Sequence, residues 1–217
     1  MSSRDDILGR VRARLGRNAD NAAAAGRVID ASLAAHRQGP RPRVGGDLLA
    51  HFQRKSEVLS TSVDAIADWS AVPAAVARYL TAQVLPMQAV GWPLVAGHAW
   101  TEAGIEFEAR GAVDADLVGI TGCFCVIAET GTLMLLSGPD TPGSVSLLPE
   151  THVAVVAASR IVPGMEEAWN LARAERGEMP RAVSFISGPS RTGDIEQTIV
   201  LGAHGPYRVH VVIVENA

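Results

Sequence analysis

A chain of 217 residues that is 47% hydrophobic and 19% charged has the composition of one globular domain or two small ones. It is long enough to bury a core without disulfide or metal staples, and two cysteines exclude a disulfide scaffold. The net charge of −4 hides a split: residues 1–55 carry eleven basic side chains against five aspartates, net +6, and the rest carries eight arginines against eighteen acids, net −10.

The opening MSSRDDILGRVRARLGR has charges every few positions and no apolar h-region, so no signal peptide is expected. The longest apolar stretch, residues 117–136, is broken by Gly119, Gly122, Glu129 and Gly131, which argues against a membrane span. A reduced, cytoplasmic protein is the expectation. The basic first quarter reads as a solvated helical segment or as a docking arm for an acidic partner. Nucleic acid is disfavoured, because no stacking aromatics are interleaved with the arginines.

In chain order, Ser3 and Asp6 can start a short amphipathic helix carrying Ile7, Leu8, Val11 and Leu15, which Gly16 stops. Residues 20–37 form an alanine-rich helix with a thin stripe of Val28, Ile29 and Leu33. The GPRPR run at 39–43 breaks it, and Asp47 can cap a third helix with Leu48, Leu49 and Phe52. Strand signals are missing so far, so residues 1–55 are predicted to be an N-terminal helical arm and residues 56–217 the main domain.

Beyond residue 56 short β-like runs alternate with helices. Strands are expected at 57–60, 88–91, 117–120, 152–157, 183–186 and 209–214, with helices at 73–81 and 165–174 and a helical turn at 194–197. Residues 126–128 and 132–136 flank Glu129-Thr130-Gly131, which reads as a β-hairpin or a tight strand-turn-strand. Continuous Val/Ile/Leu runs between helices predict an α/β fold, with a mixed, largely parallel sheet and helices on both faces.

Four glycine-rich stretches fall at strand ends: GITG at 119–122, ETGT at 129–132, SGPSRT at 187–192 and GAHGP at 202–206. In open α/β sheets, ligands bind outside the carboxyl ends of strands. In SGPSRT, Ser187 and Gly188 allow close backbone approach, and Ser190 or Thr192 can cap the next turn and leave N–H groups for an anion. Arg191 adds a charge suited to carboxylate or phosphate. Asp194 and Glu196 oppose this by occupying the same positive end, and a capped structural turn with a surface arginine is the alternative. The loop is neither a Walker A nor a G-x-G-x-x-G motif.

Glu129, if desolvated in a pocket, would have a raised pKa and could act as acid, base or nucleophile; otherwise it is the polar tip of a hairpin. The hydroxyls of Thr130 and Thr132 fit either reading. His204, in a glycine-rich loop, is a candidate donor or base, whereas His152 and His210 read as core or edge residues. Cys123 and Cys125 would share one face of a strand, and with no other cysteine they read as buried thiols rather than metal ligands. No metal site is expected in this chain, and no G-x-S-x-G elbow is present.

The segments GITGCFCVIAETGTLMLLSG, SLLPETHVAVV, ISGPSRTGDIEQTIVLGAHGP and RVHVVIVEN resemble the lactate utilization protein C family, the LUD-domain proteins. The resemblance covers residues 117–214 and extends loosely to the opening helix. It implies a fold similar to the ribose-5-phosphate isomerase and CoA-transferase type. It also implies one subunit of a three-part cytoplasmic system that oxidises L-lactate to pyruvate, with iron–sulfur clusters in the partner subunits and no cofactor in this chain. The motif positions it carries over include Glu129, Thr130, Gly131, Thr132, Ser187, Gly188, Ser190, Arg191, Thr192, Asp194 and His204, with no assigned catalytic role; on the residue-level reading above, Glu129 and His204 are the catalytic candidates and the others the substrate- or anion-binding candidates.

Cys123-Phe124-Cys125 and Gly143 depart from the family pattern, where a small-and-acidic pair and a basic residue are usual. The alternative function is a stand-alone enzyme or binding protein acting on a small anionic metabolite, such as a sugar phosphate or acyl-CoA compound. A third is a regulatory module docking through its basic arm. All the site readings require the turns at Glu129 and Ser187 to be neighbours.

Overall fold

The computed structural model describes residues 3–193 and 200–217. The chain divides into two compact units, Met1–Arg41 and Pro42–Ala217.

The first unit consists of helices α1 (Ser3–Arg14) and α2 (Ala19–Ala34). Helix α1 opens with Asp5 and Asp6 and closes with Arg12 and Arg14, which complements its dipole. Helix α2 starts from a reciprocal cap: Asn18 Oδ1 accepts from the Asn21 N–H at 2.9 Å, and Asn21 Oδ1 accepts from the Asn18 N–H at 3.0 Å. Neither helix buries a residue, and the stripes Ile7, Val11, Leu15 and Val28, Ile29, Leu33 are exposed.

The second unit begins with α3 (Leu48–Val58), capped by Asp47 Oδ1 accepting from the Ala50 N–H at 3.1 Å. Phe52 on this helix is fully buried, a contribution of about 1.5–3 kcal/mol. That anchor places α3 within the second unit. The elements that follow are β1 (Thr61–Ile66), α4 (Val72–Ala82), β2 (Gln88–Gly91), β3 (Glu106–Ala109), β4 (Val118–Gly122), β5 (Cys125–Ile127), β6 (Thr132–Leu136), α5 (Ser144–Leu147), β7 (Thr151–Ala157), β8 (Ile161–Val162), α6 (Met165–Arg176), β9 (Val183–Ile186), β10 (Arg191–Thr192), β11 (Val200–Leu201) and β12 (Arg208–Val214).

Six strands form an all-parallel sheet in the order β1-β12-β7-β4-β2-β3. A four-stranded mixed sheet, β8-β5-β6-β9, lies over one of its faces. Val72, Val76 and Leu80 of α4 pack on the other face against Ile120, Val153, Val155, Val212 and Val214. Between the sheets, Ala154, Val156, Val211 and Ile213 meet Val126, Leu133, Leu135 and Phe52. The outer face of the small sheet, through Cys125, Ile127 and Met134, packs on Ala168 and Ala172 of α6. The fold is therefore α/β with a large parallel sheet flanked by helices, as the apolar runs predict, and a second sheet shares one flank.

The expected strand at 57–60 begins instead at Thr61. Helix α3 runs on to Val58, and Ser60 turns the chain in a left-handed conformation (φ 66°). The expected turn at 194–197 lies outside the described residues.

Two histidines sit inside the large sheet. His152 shares a 2.8 Å hydrogen bond with Thr121 through Nε2. His210 shares one of 2.9 Å with Ser62 through Nδ1 and stacks on Tyr79, ring centres 3.9 Å apart. No described residue pairs with His152 Nδ1 or His210 Nε2. Burial pushes both imidazoles down to about 4, whereas the unfolded chain protonates them near pH 6.5.

Between those values the unfolded state holds more protons, so stability is complete above pH 6.5 and falls as pH drops toward 4. The slope approaches about 1.4 kcal/mol per pH unit for each histidine. Thermal melts should therefore show a lower Tm at pH 5 than at pH 7, and less of a drop in His152→Gln; equal Tm values for the natural chain would contradict this.

Candidate functional site

The turn that links β5 to β6 is fixed on both sides. Ile127 pairs with Thr132 across it. The Ala128 N–H donates to the Val162 carbonyl at 2.9 Å, and the Glu129 N–H to the Pro163 carbonyl at 3.0 Å. Gly131 has φ of 63°, and a Cβ there would lie 2.7 Å from the Ser56 amide nitrogen. Only glycine meets both demands without displacing α3.

The next pairing brings the second motif alongside. Leu133 on β6 is in register with Ile186 on β9, so Thr132 and Ser187 follow as neighbours. Their hydroxyls share a 2.7 Å hydrogen bond, and Thr132 shares another of 2.7 Å with Thr130. The two turns, more than fifty residues apart in sequence, are joined by a three-hydroxyl chain.

The SGPSRT loop then wraps the end of the same helix. Gly188 has φ of 84°, and a Cβ would lie 2.5 Å from the Leu59 carbonyl oxygen. Arg191 donates through Nη2 to Ser60 Oγ at 2.8 Å and to the Leu59 carbonyl at 3.3 Å. The Ser190 N–H donates to the Pro206 carbonyl at 2.8 Å, and the Gly202 N–H to the Ser190 carbonyl at 2.9 Å. These bonds hold the GAHGP loop against SGPSRT.

Between the two loops lies an open groove of about 370 Å³, to which Ser187, Gly188, Ser190, Arg191 and His204 contribute, along with Leu147 on α5. Thr130 and Thr132 connect to it through Ser187. Glu129 is half-buried at the start of its turn and does not line the groove. Thr192 is buried in the β10–β11 pair. Asp194 and Glu196 lie outside the described residues.

The four glycine-rich stretches do not converge. Gly119 packs directly beneath the Val145 carbonyl of α5, and Gly122 ends β4 elsewhere. The groove also borders Val209 near the amino end of β12, not the carboxyl ends of the large sheet. The sequence reading misses Leu59 and Ser60, which hold Arg191. Nothing in their residue types signals that role; the positive φ of Ser60 emerges only in the fold.

The two cysteines do not share a face. Cys123 precedes β5 and donates to the Cys125 carbonyl at 2.9 Å, whereas Cys125 faces Met134 Sδ at 3.7 Å on the α6 side. Burial raises both thiols, Cys125 to about 12. Among the described residues, no three His, Cys, Asp or Glu side chains converge as a metal site.

The model for the LUD domain matches residues 19–214. Lactate utilization protein C of Halalkalibacterium halodurans is 41% identical over 102 residues, 46% of this chain and 44% of that protein. Lactate utilization protein C of Bacillus subtilis is 41% identical over 102 residues, covering 46% and 42%. Lactate utilization protein C 1 of Bacillus mycoides is 40% identical over 121 residues, covering 54% and 51%. The chain spans about half the length of these curated relatives. A crystal structure of a DUF162 family protein from Deinococcus radiodurans superposes with a TM-score of 0.60 at 25% identity, covering 80% of this chain and 99% of that one.

Gly131→Ala and Gly188→Ala each place a side chain in the left-handed region against α3. Each should lower stability by about 2 kcal/mol or more, a Tm loss of roughly 4–8 °C for a unit of this size. Melting temperatures within a degree of the natural chain would show that neither close approach matters.

Proposed function

The chain belongs to the LUD domain family, and on that premise we propose that it serves lactate utilization, as a cytoplasmic subunit working with iron–sulfur partner proteins that oxidise L-lactate to pyruvate. The names of its relatives support the lactate part of this reading. The observation that carries the site is the single groove shared by Arg191, Ser187, Ser190 and His204.

Lactate presents a carboxylate and an adjacent hydroxyl. The Arg191 guanidinium, aimed by Ser60 and Leu59, suits the carboxylate, because a charge-assisted bond from a planar fork fixes both position and orientation. Ser187 and Ser190 can hydrogen-bond the substrate hydroxyl, and the His204 imidazole can take its proton. Oxidation to pyruvate breaks the O–H and Cα–H bonds and releases two electrons and two protons, one proton to His204 and the other to solvent; iron–sulfur partner subunits would accept the electrons. Glu129, outside the groove, serves here through its backbone N–H, which ties the turn to the Pro163 carbonyl just beyond β8. Helices α1 and α2, both with exposed apolar stripes and α1 with a basic surplus, are the partner-facing elements of such an assembly.

One observation favours a second reading. The groove is open and roomier than a three-carbon acid requires, so a sugar phosphate or acyl-CoA compound bound through the same arginine is the alternative.

Calorimetric titration of L-lactate and pyruvate should show Arg191→Ala weakening binding by about 1–3 kcal/mol, roughly 5- to 150-fold. Removing this chain from the native particle should abolish lactate oxidation. Equal affinity in the variant, or undiminished oxidation without the chain, would overturn the reading.

A further inference from the structure

The carboxyl ends of the large sheet carry a second cleft, which the lactate reading does not use. Segments following β1, β2, β4 and β7 enclose about 350 Å³ there, the place where open parallel sheets characteristically hold ligands. Trp69 and His98 form one part of it, their rings 5.9 Å apart between centres and within 21° of parallel. Leu94, Val155 and Ala157 make the rest largely apolar. Gly122 keeps the space open: a Cβ there would come within 2.9 Å of Leu94 Cδ2.

The polar groups lining this cleft carry no free charge. The Arg160 fork is paired to the Glu175 carboxylate at 2.5 and 3.0 Å, and its Nε donates to the Phe124 carbonyl at 2.7 Å. The Cys123 thiol donates to backbone carbonyls, and burial holds it protonated. Burial lowers the His98 pKa, which keeps a neutral imidazole with one N–H to donate. Bound charge would find no counter-ion here, whereas a flat apolar ring would gain aromatic contact and displace water.

We propose that this cleft receives a flat, uncharged aromatic ring bearing a carbonyl oxygen, with the ring against Trp69 and His98 donating to that oxygen. Such a ring binds there whatever the groove near the amino end of β12 takes.

Equilibrium dialysis of the full chain with 2,3-dimethyl-1,4-naphthoquinone tests this, since its substituted ring carbons block addition by Cys123. The expected result is saturable one-to-one binding. Trp69→Ala and His98→Ala should each weaken it by about tenfold or more, and Arg191→Ala should leave it unchanged. Trp69 is 40% exposed, so its removal tests binding without emptying the core. Failure of the natural chain to bind saturably would overturn the proposal. So would affinity that survives both cleft substitutions, or affinity lost on Arg191→Ala.

Discussion

The groove depends on one close approach: two glycines in left-handed conformation, Gly131 and Gly188, pressed against the last turn of α3 and the residues just after it. Each comes so near that helix or its exit that no Cβ fits. The helix is in turn pinned by buried Phe52. Because both turns are packed on one rigid element, the hydroxyls of Thr132 and Ser187 meet at hydrogen-bond distance, and Arg191 is carried to Ser60. The residues are thus preorganised by backbone packing, and the hydroxyl chain follows from it. Orientation fixed before binding spares a ligand part of the entropy of assembling its own site.

Much of this was legible in the amino-acid sequence, and the reasons are specific. The runs at 88–91 and 132–136 coincide with β2 and β6, because strands buried on both faces are apolar on both, and the run at 183–186 coincides with β9, a half-buried edge strand that its β-branched and aromatic residues mark. The ETGT and SGPSRT motifs are neighbours, as the site readings required. Helix α3 was legible as a helix but not as part of the second unit, since a single buried aromatic decides that and periodicity does not report it. The β5–β6 hairpin was legible, but its membership of a separate small sheet was not: strand β8 has only two residues, and nothing in the run at 183–186 says that it pairs with β6 rather than with the large sheet. Strand β3, Glu-Phe-Glu-Ala at an edge, alternates too briefly to stand out. Cys123 escaped the strand face expected of it because β5 starts two residues later.

The large sheet presents two different chemical environments at the two ends of its strands. Near the amino ends of β7 and β12, glycine-rich loops bring an arginine, hydroxyls and an imidazole to an open groove. At the carboxyl ends of β4 and β7, an apolar cleft is bordered by aromatic rings, and its one guanidinium is paired. Polar, charged surroundings suit a small anion, and apolar, neutral ones a flat ring. The strands between them carry the buried neutral histidines, so the scaffold joining the two ends is at its most stable near and above neutral pH.

On the proposed function, the Glu129 and Ser187 turns serve one carboxylate-binding groove. Amide chemical-shift mapping of the isotope-labelled chain during titration with L-lactate or pyruvate tests it most directly. Saturable shifts should cluster at residues 130–132, 187–192 and 202–206. Shifts absent from all three stretches, or confined to the segments around Trp69 and His98, would contradict it.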